Sequence, residues 1–228
     1  MRGWLAYLIA GLMLIAFPLL SRASIIATAG SVQGATPPLN LSTGAWESNT
    51  AIRAFAEMQN LSLPQAINVD ITVPGTSPNA IDSNLSAGVI AAGTRVHCYS
   101  LHFDVVGAPS TGNAIELTGS VTVGDDILAL IVESNHLTAT NSILGLANTS
   151  YPFGADYGLE LTAGGVGTGT SDSITLTADH RTVLVDWRTA SSSDNIRIIT
   201  AVPEPGAALL LLGIATPLIA RIRKPRRT

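Results

Sequence analysis

The sequence predicts one all-β domain over residues 31–201, an antiparallel β-sandwich or jelly roll. Apolar and polar residues alternate in seven or more short segments, and turns rich in Gly, Ser, Asn and Pro separate these segments. Hardly any segment shows helical periodicity. The chain has 228 residues, of which 46% are hydrophobic and 12% charged, so it is long enough for such a domain and too apolar for a disordered protein.

The predicted strands follow one another between residues 67 and 199. Residues 127–132 form a continuous apolar run, which is typical of a central strand covered on both faces. Residues 74–78 contain two prolines and predict a break. Residues 51–59 fit a helix or a strand, and the β neighbourhood favours a strand. The segments are 67–73, 99–105, 115–123, 127–132, 174–177, 183–187 and 196–199.

Residues 1–29 are predicted to be a signal peptide. Arg2 provides a basic start, and the uncharged apolar run over residues 4–20 is followed by small residues. These give two candidate cleavage sites, after Ala23 and after Ala29. A retained membrane anchor is the alternative, because this run approaches the ~17 to 25 residues that span a bilayer. Pro18 and the small residues favour cleavage.

Charge is distributed unevenly along the chain. Residues 24–201 contain 15 Asp and Glu against five Arg, a formal charge of −10. A body of this charge repels phosphate backbones, which excludes a nucleic-acid-binding domain. Cys98 is the only cysteine, so an internal disulfide and a cysteine zinc site are excluded as well.

The C-terminal residues 202–228 have three consecutive parts. The motif Pro203-Glu204-Pro205 is extended, because each proline fixes its own φ and biases the preceding residue away from helix. Residues 207–220 are apolar, and residues 221–228 are strongly basic. A basic cluster directly after an apolar run predicts a single transmembrane helix with a cytoplasmic tail. A GPI signal would instead end in its apolar stretch.

This order of motif, apolar run and basic end resembles the PEP-CTERM sorting signal of exported bacterial proteins. The resemblance implies export through the Sec machinery and signal peptidase, followed by recognition of Pro203, Glu204 and Pro205 by exosortase, a membrane transpeptidase. It also implies a precursor tethered to the inner membrane and delivery to the cell surface or extracellular matrix, where exopolysaccharide is a possible partner. It gives this chain no catalytic role, because the nucleophile of the sorting reaction belongs to the enzyme.

One predicted loop is a candidate ligand-binding site. Tyr151, Phe153 and Tyr157 stand close in sequence with Asp156 among them. Aromatic faces beside a polar group are suited to binding a sugar. The alternative is that these rings cover one end of the sandwich as a satellite of the core. Trp46 and Trp187 are predicted to belong to the core.

Metal binding is weakly indicated, and no cofactor is predicted. Asp125, Asp126 and Asp172 lie at predicted turns and offer the hard oxygen ligands that calcium prefers. Aspartates in turns, however, usually bond to their own backbone. His97 and His102 are five residues apart on one predicted strand, so they point to opposite faces and cannot share an ion.

No catalytic motif is evident, and the sequence predicts a protein that is not an enzyme. The chain lacks Gly-x-Ser-x-Gly, and Lys224 is its only lysine, which excludes Ser-x-x-Lys chemistry in the body. Cys98 is interpreted as a buried thiol, and His136 and His180 as solvated loop residues. The expected role is a structural or matrix-interacting surface component, with a carbohydrate-binding module or a secreted glycoside hydrolase as alternatives. For the hydrolase, the candidate carboxylates are Glu116, Glu133 and Glu160.

Overall fold

The structure is a computed structural model that describes residues 24–78, 85–109, 113–153, 157–159, 172–190 and 192–203. The predicted signal peptide up to Ala23 and the predicted transmembrane and basic segments lie outside these residues. Within the described ranges, no helix is both long and apolar enough to cross a membrane.

Thirteen strands and one helix make up the regular structure of the described residues. They are β1 (Ile25–Gly30), β2 (Val32–Gly34), β3 (Ile52–Ala56), β4 (Leu61–Ser62), β5 (Ile67–Val69), β6 (Gly75–Pro78), β7 (Gly88–Ile90), β8 (Arg95–Asp104), β9 (Ile115–Val123), β10 (Ile127–Ile131), α1 (Ser134–Leu144), β11 (Ser173–Leu176), β12 (Thr182–Thr189) and β13 (Ser193–Ala201).

Most strands belong to two large sheets. The five-stranded sheet has the order β1-β9-β12-β11-β6, and the six-stranded sheet has the order β10-β13-β8-β3-β2 with β4 also paired to β8. β5 and β7 form a separate two-stranded sheet. Pairing is antiparallel throughout except between β2 and β3. The predicted all-β, antiparallel class is therefore confirmed, and so is the strand preferred for residues 51–59.

Two apolar cores lie on opposite faces of the six-stranded sheet. The central core combines β8 side chains such as Tyr99 and Leu101 with Val121 of β9 and Trp187 of β12, so both large sheets contribute to it. The outer core contains Cys98 on the other face of β8, together with residues of β5 and α1. Because alternate residues of a strand point to opposite faces, β8 is buried on both sides.

Helix α1 was not predicted, because its sequence is poor in strong helix formers. Residues 134–144 contain two threonines, two asparagines and two serines, which have modest helix propensity. The residues it buries are Leu137, Thr140 and Leu144, at spacings of three and four that define one helical face. Packing of this face on the six-stranded sheet therefore supplies the stability that the local sequence lacks.

The strand that begins at Ile67 is interrupted before residue 75, as predicted, but Gly75–Pro78 is not part of the break and forms the edge strand β6. It pairs with β11, and Ser173 lies opposite Pro78. An edge strand is hydrogen-bonded on one side only, so a proline at its end is tolerated. Strand β13 likewise begins at Ser193, three residues before the predicted segment 196–199.

β1 lies before residue 31, where the domain was predicted to begin. It pairs with β9, and Gly30 lies opposite Gly119. A Cβ atom on Gly119 would stand 2.5 Å from the Ala29 carbonyl oxygen, so this close approach requires glycine. The folded body therefore includes Ala29, the second candidate cleavage site.

Candidate functional site

Three titratable side chains lie close together at the connection between β10 and α1. Asp70 follows β5, and its N–H donates to the Leu130 carbonyl oxygen over 2.9 Å, which fixes this segment beside β10. The Asp70 Oδ2 accepts the backbone N–H groups of Val132 at 2.6 Å and Glu133 at 2.9 Å. Because the N-terminal end of a helix is electropositive, the carboxylate is well placed there.

Glu133 and His136 complete this arrangement, which we call the Asp70–Glu133–His136 cluster. They are three residues apart at the start of α1 and therefore lie on one face. The His136 Nδ1 is 2.5 Å from Asp70 Oδ1 and 3.6 Å from Glu133 Oε2. Asp70 is 1% exposed, whereas the other two side chains are about a quarter exposed. The cluster can hold a proton or a metal ion between one imidazole and two carboxylates.

The cluster adjoins a small cavity of about 180 Å³. His136 contributes to its wall, and the polar side chains of Gln65, Asn68 and Thr140 line it as well. Within the described part of the chain, this is the one group of three His, Cys, Asp or Glu side chains whose ligand atoms all lie within 4.8 Å of one another.

A second polar arrangement is fully internal and joins α1 to the six-stranded sheet. The Arg197 guanidinium donates to both oxygens of Glu57, with Nε at 2.8 Å from Oε2 and Nη2 at 3.2 Å from Oε1. Its remaining N–H groups donate to the Leu137 carbonyl, Thr140 Oγ1 and Asn141 Oδ1 at 2.8–2.9 Å. All five donors are thus used. Although desolvation opposes it, the Glu57 carboxylate holds the pKa of Arg197 above its ordinary value.

Two of the three candidate sugar-binding rings belong to this internal region. The Tyr151 hydroxyl donates to Glu57 Oε1 at 2.6 Å and accepts the Leu146 N–H at 2.7 Å. Burial and the neighbouring Glu57 raise the pKa of Tyr151. Tyr157 is 2% exposed and donates to Asn141, whereas Phe153 is 86% exposed. The core-satellite interpretation is thus correct for Tyr151 and Tyr157, and Asp156 lies outside the described residues.

The three candidate calcium ligands do not meet. Asp125 is buried after the end of β9, while Asp126 is exposed and bound to Arg181 Nε at 3.0 Å. Asp172 accepts the Arg188 N–H at 2.8 Å. Because Arg188 pairs with Glu116, Asp172 lies near the start of β9. The length of β9, roughly 25 Å, separates Asp172 from Asp125. Asp172 therefore cannot share an ion with Asp125, and calcium binding by any one of the three residues stays a prediction.

The histidine pair of β8 lies on opposite faces, as predicted. His97 approaches Asp125, with Nε2 at 3.9 Å from Oδ2. The His102 Nδ1 is 2.8 Å from Asn195 Oδ1, and its ring stacks on Trp46 at 5.7 Å. Burial lowers the pKa of His102 to about 4. Trp46 itself is half-buried, so only Trp187 fulfils the prediction that both tryptophans belong to the core.

The remaining candidates take different places. Cys98 is a buried free thiol, as predicted, and its Sγ lies 3.2 Å from Glu57 Oε2. His136 lies in α1 and not in a loop. Glu116 is exposed on β9, and Glu160 lies outside the described residues. Of the three candidate carboxylates, only Glu133 has a second carboxylate beside it in the described residues, that of Asp70 in the Asp70–Glu133–His136 cluster.

Sequence reasoning missed the Asp70–Glu133–His136 cluster. The i, i+3 spacing of Glu133 and His136 is a usable signal only once α1 is known to be a helix. The contribution of Asp70 has no local signal, because 63 residues separate it from Glu133. Comparison with protein-family models, curated proteins and solved structures finds no match for this chain.

Proposed function

We propose that this chain is an exported bacterial surface or extracellular-matrix protein, with a β-sandwich body that has a structural or matrix-interacting role and is not an enzyme. An exosortase-type transpeptidase would process its C-terminal end. The observation that carries this proposal is the three-part order after residue 202, in which Pro203-Glu204-Pro205 precedes an apolar run and a basic end.

The end of the described body is consistent with such processing. β13 ends at Ala201, whose N–H donates to the Asp126 carbonyl at 2.9 Å. The Val202 N–H donates to the Arg95 carbonyl at 3.2 Å, and Pro203 is exposed. The backbone is therefore held by the body up to the residue that precedes the motif, and a cut within the motif would leave every described strand intact.

The sandwich assignment rests on the shared central core. Inward-facing side chains of both large sheets contribute to it, which is the arrangement expected for two sheets packed face to face. A three-ring carbohydrate platform is not part of the proposal, because Tyr151 and Tyr157 are engaged in internal hydrogen bonds.

Signal peptide removal is proposed to occur after Ala23. Cleavage after Ala29 would remove five of the six residues of β1 and leave the adjacent edge of β9 unpaired. Cleavage after Ala23 leaves β1 complete, and the mature chain then begins at Ser24.

The test is made in bacterial cells that possess the sorting enzyme, with the full chain carrying Pro203→Ala and Glu204→Ala. We expect normal export and folding, together with accumulation of a membrane-bound form of higher mass. The control carries Pro64→Ala and Gln65→Ala, which change an exposed proline and its polar neighbour in the body. If the motif variant is cut and delivered like the wild type, the sorting proposal is refuted and a permanent anchor is the better explanation.

A further inference from the structure

We propose that Asp70, Glu133 and His136 bind one divalent first-row transition-metal ion, with Zn²⁺ as the reference ion. This inference does not depend on how the chain is sorted. Imidazole nitrogen and carboxylate oxygen are both established ligands of such ions. With a neutral imidazole the three groups carry two negative charges, and the acidic body raises the local cation concentration further.

The three ligand atoms lie within 4.8 Å of one another, and one of their separations already suits a common ion. Two ligands bound at 2.0–2.2 Å in tetrahedral geometry lie about 3.4 Å apart. The 3.6 Å between His136 Nδ1 and Glu133 Oε2 already matches this value. Asp70 Oδ1 lies 2.5 Å from Nδ1, which is closer than two ligands of one ion stand. Binding of a metal ion would therefore require these two atoms to separate by roughly 1 Å.

The surroundings of Asp70 provide independent support. Its Oδ2 is occupied by the Val132 and Glu133 N–H groups, so the buried carboxylate is held in one orientation with Oδ1 directed toward His136. Outer hydrogen bonds of this kind orient the ligands of known metal sites. Such an orientation reduces the reorganisation that binding requires.

The adjoining cavity leaves open space beside one of the three proposed ligands. Three protein ligands leave at least one position of a tetrahedral ion open. His136 lines the cavity of about 180 Å³, whereas Asp70 and Glu133 do not, so the imidazole is the proposed ligand that lies beside this space. An ion bound here would also join the segment after β5 to the start of α1.

The experiment uses the full chain in detergent and ZnCl₂ as the probe, with isothermal titration in two buffers of different ionisation enthalpy. We expect one Zn²⁺ per chain, and the two buffers separate the heat of metal binding from the heat of any buffer protonation. The melting temperature should rise with ZnCl₂ concentration, since the ion binds the folded state. CoCl₂ should give the visible absorption of a four- or five-coordinate ion.

Two variants and one control test the assignment to these residues. Glu133→Gln preserves the shape of the side chain, and His136→Ala removes the imidazole. Each should weaken Zn²⁺ binding by about tenfold or more and reduce the rise in melting temperature at a given ZnCl₂ concentration. His180→Asn removes an exposed imidazole in the β11–β12 turn, at a positive φ that asparagine tolerates, and should bind like the wild type.

Three results would overturn the proposal. They are the absence of Zn²⁺ binding by the wild type, unchanged binding by folded Glu133→Gln, and loss of binding in His180→Asn alone. Circular dichroism establishes whether each variant is folded. If His136→Ala fails to fold, Glu133→Gln decides the question. Processing of the Pro203→Ala, Glu204→Ala variant has no bearing on these readouts, so the two proposals can fail separately.

Discussion

Replacement of Arg197 by methionine should destabilise the folded body strongly. Arg197 is 1% exposed. Two of its five N–H groups donate to the carboxylate of Glu57, which directly follows β3, and the other three donate to acceptors on α1. Methionine fills a similar volume but donates nothing. The substitution leaves the Glu57 carboxylate, whose side chain is 0% exposed, without its counter-charge. Three acceptors on α1 each lose one donor as well.

The expected loss is about 3–5 kcal/mol in the free energy of unfolding, the usual result of removing one partner from a buried ion pair. This is a large fraction of the roughly 5–15 kcal/mol that stabilises an ordinary domain. For a body of this size it corresponds to a fall in melting temperature of roughly 10 °C. The double variant Glu57→Gln, Arg197→Met should recover part of this loss, because no buried charge then remains.

The measurement is urea denaturation of residues 24–203 expressed alone, followed by far-ultraviolet circular dichroism. This fragment retains β1, and its spectrum should be β-rich. The control is Arg181→Met, because Arg181 and Asp126 form an ion pair whose side chains are 50% and 65% exposed. That pair should contribute no more than about 1 kcal/mol. If both variants lose the same small amount, the Glu57–Arg197 pair does not stabilise the body in the way described.

Three further predictions concern other parts of the chain. Edman sequencing of the exported protein should begin at Ser24, and a start at residue 30 would contradict the role given to β1. Tyr157→Ala should lower stability by about 3–5 kcal/mol because the ring is buried, whereas Phe153→Ala, at an exposed ring, should change it by less than about 0.5 kcal/mol. Equal effects of these two changes would refute the assignment. The folded pKa of His102, about 4, lies below the unfolded value of about 6.5, so this group should cost about 3 kcal/mol of stability as pH falls from about 6.5 to about 4. The His102→Gln variant should lose less stability than the wild type over that pH range. An identical dependence of stability on pH in the two proteins would contradict this role of His102.

The sequence by itself determined the class of the fold and most of its strands. Strands β8, β9 and β12 were predictable because one residue in two is apolar, and this period of two is a local property of the sequence. The pattern marks a half-buried strand in β9 and β12, whereas the polar face of β8 is buried as well. The opposite placement of His97 and His102 follows from the same alternation. The proposed sorting motif is also local, since Pro203, Glu204 and Pro205 are consecutive.

Only the tertiary structure decided the positions of α1, β6 and the Asp70–Glu133–His136 cluster. The propensity of residues 134–144 does not favour a helix, and a core face supplied by distant strands stabilises it. β6 depends on pairing with β11, which follows it by about 100 residues. Asp70 reaches Glu133 and His136 because Ile71 pairs with Leu130. The periodicity of a segment shows which of its faces is buried. It does not show which segment covers that face, because the covering segment lies far away in the sequence and leaves no local pattern.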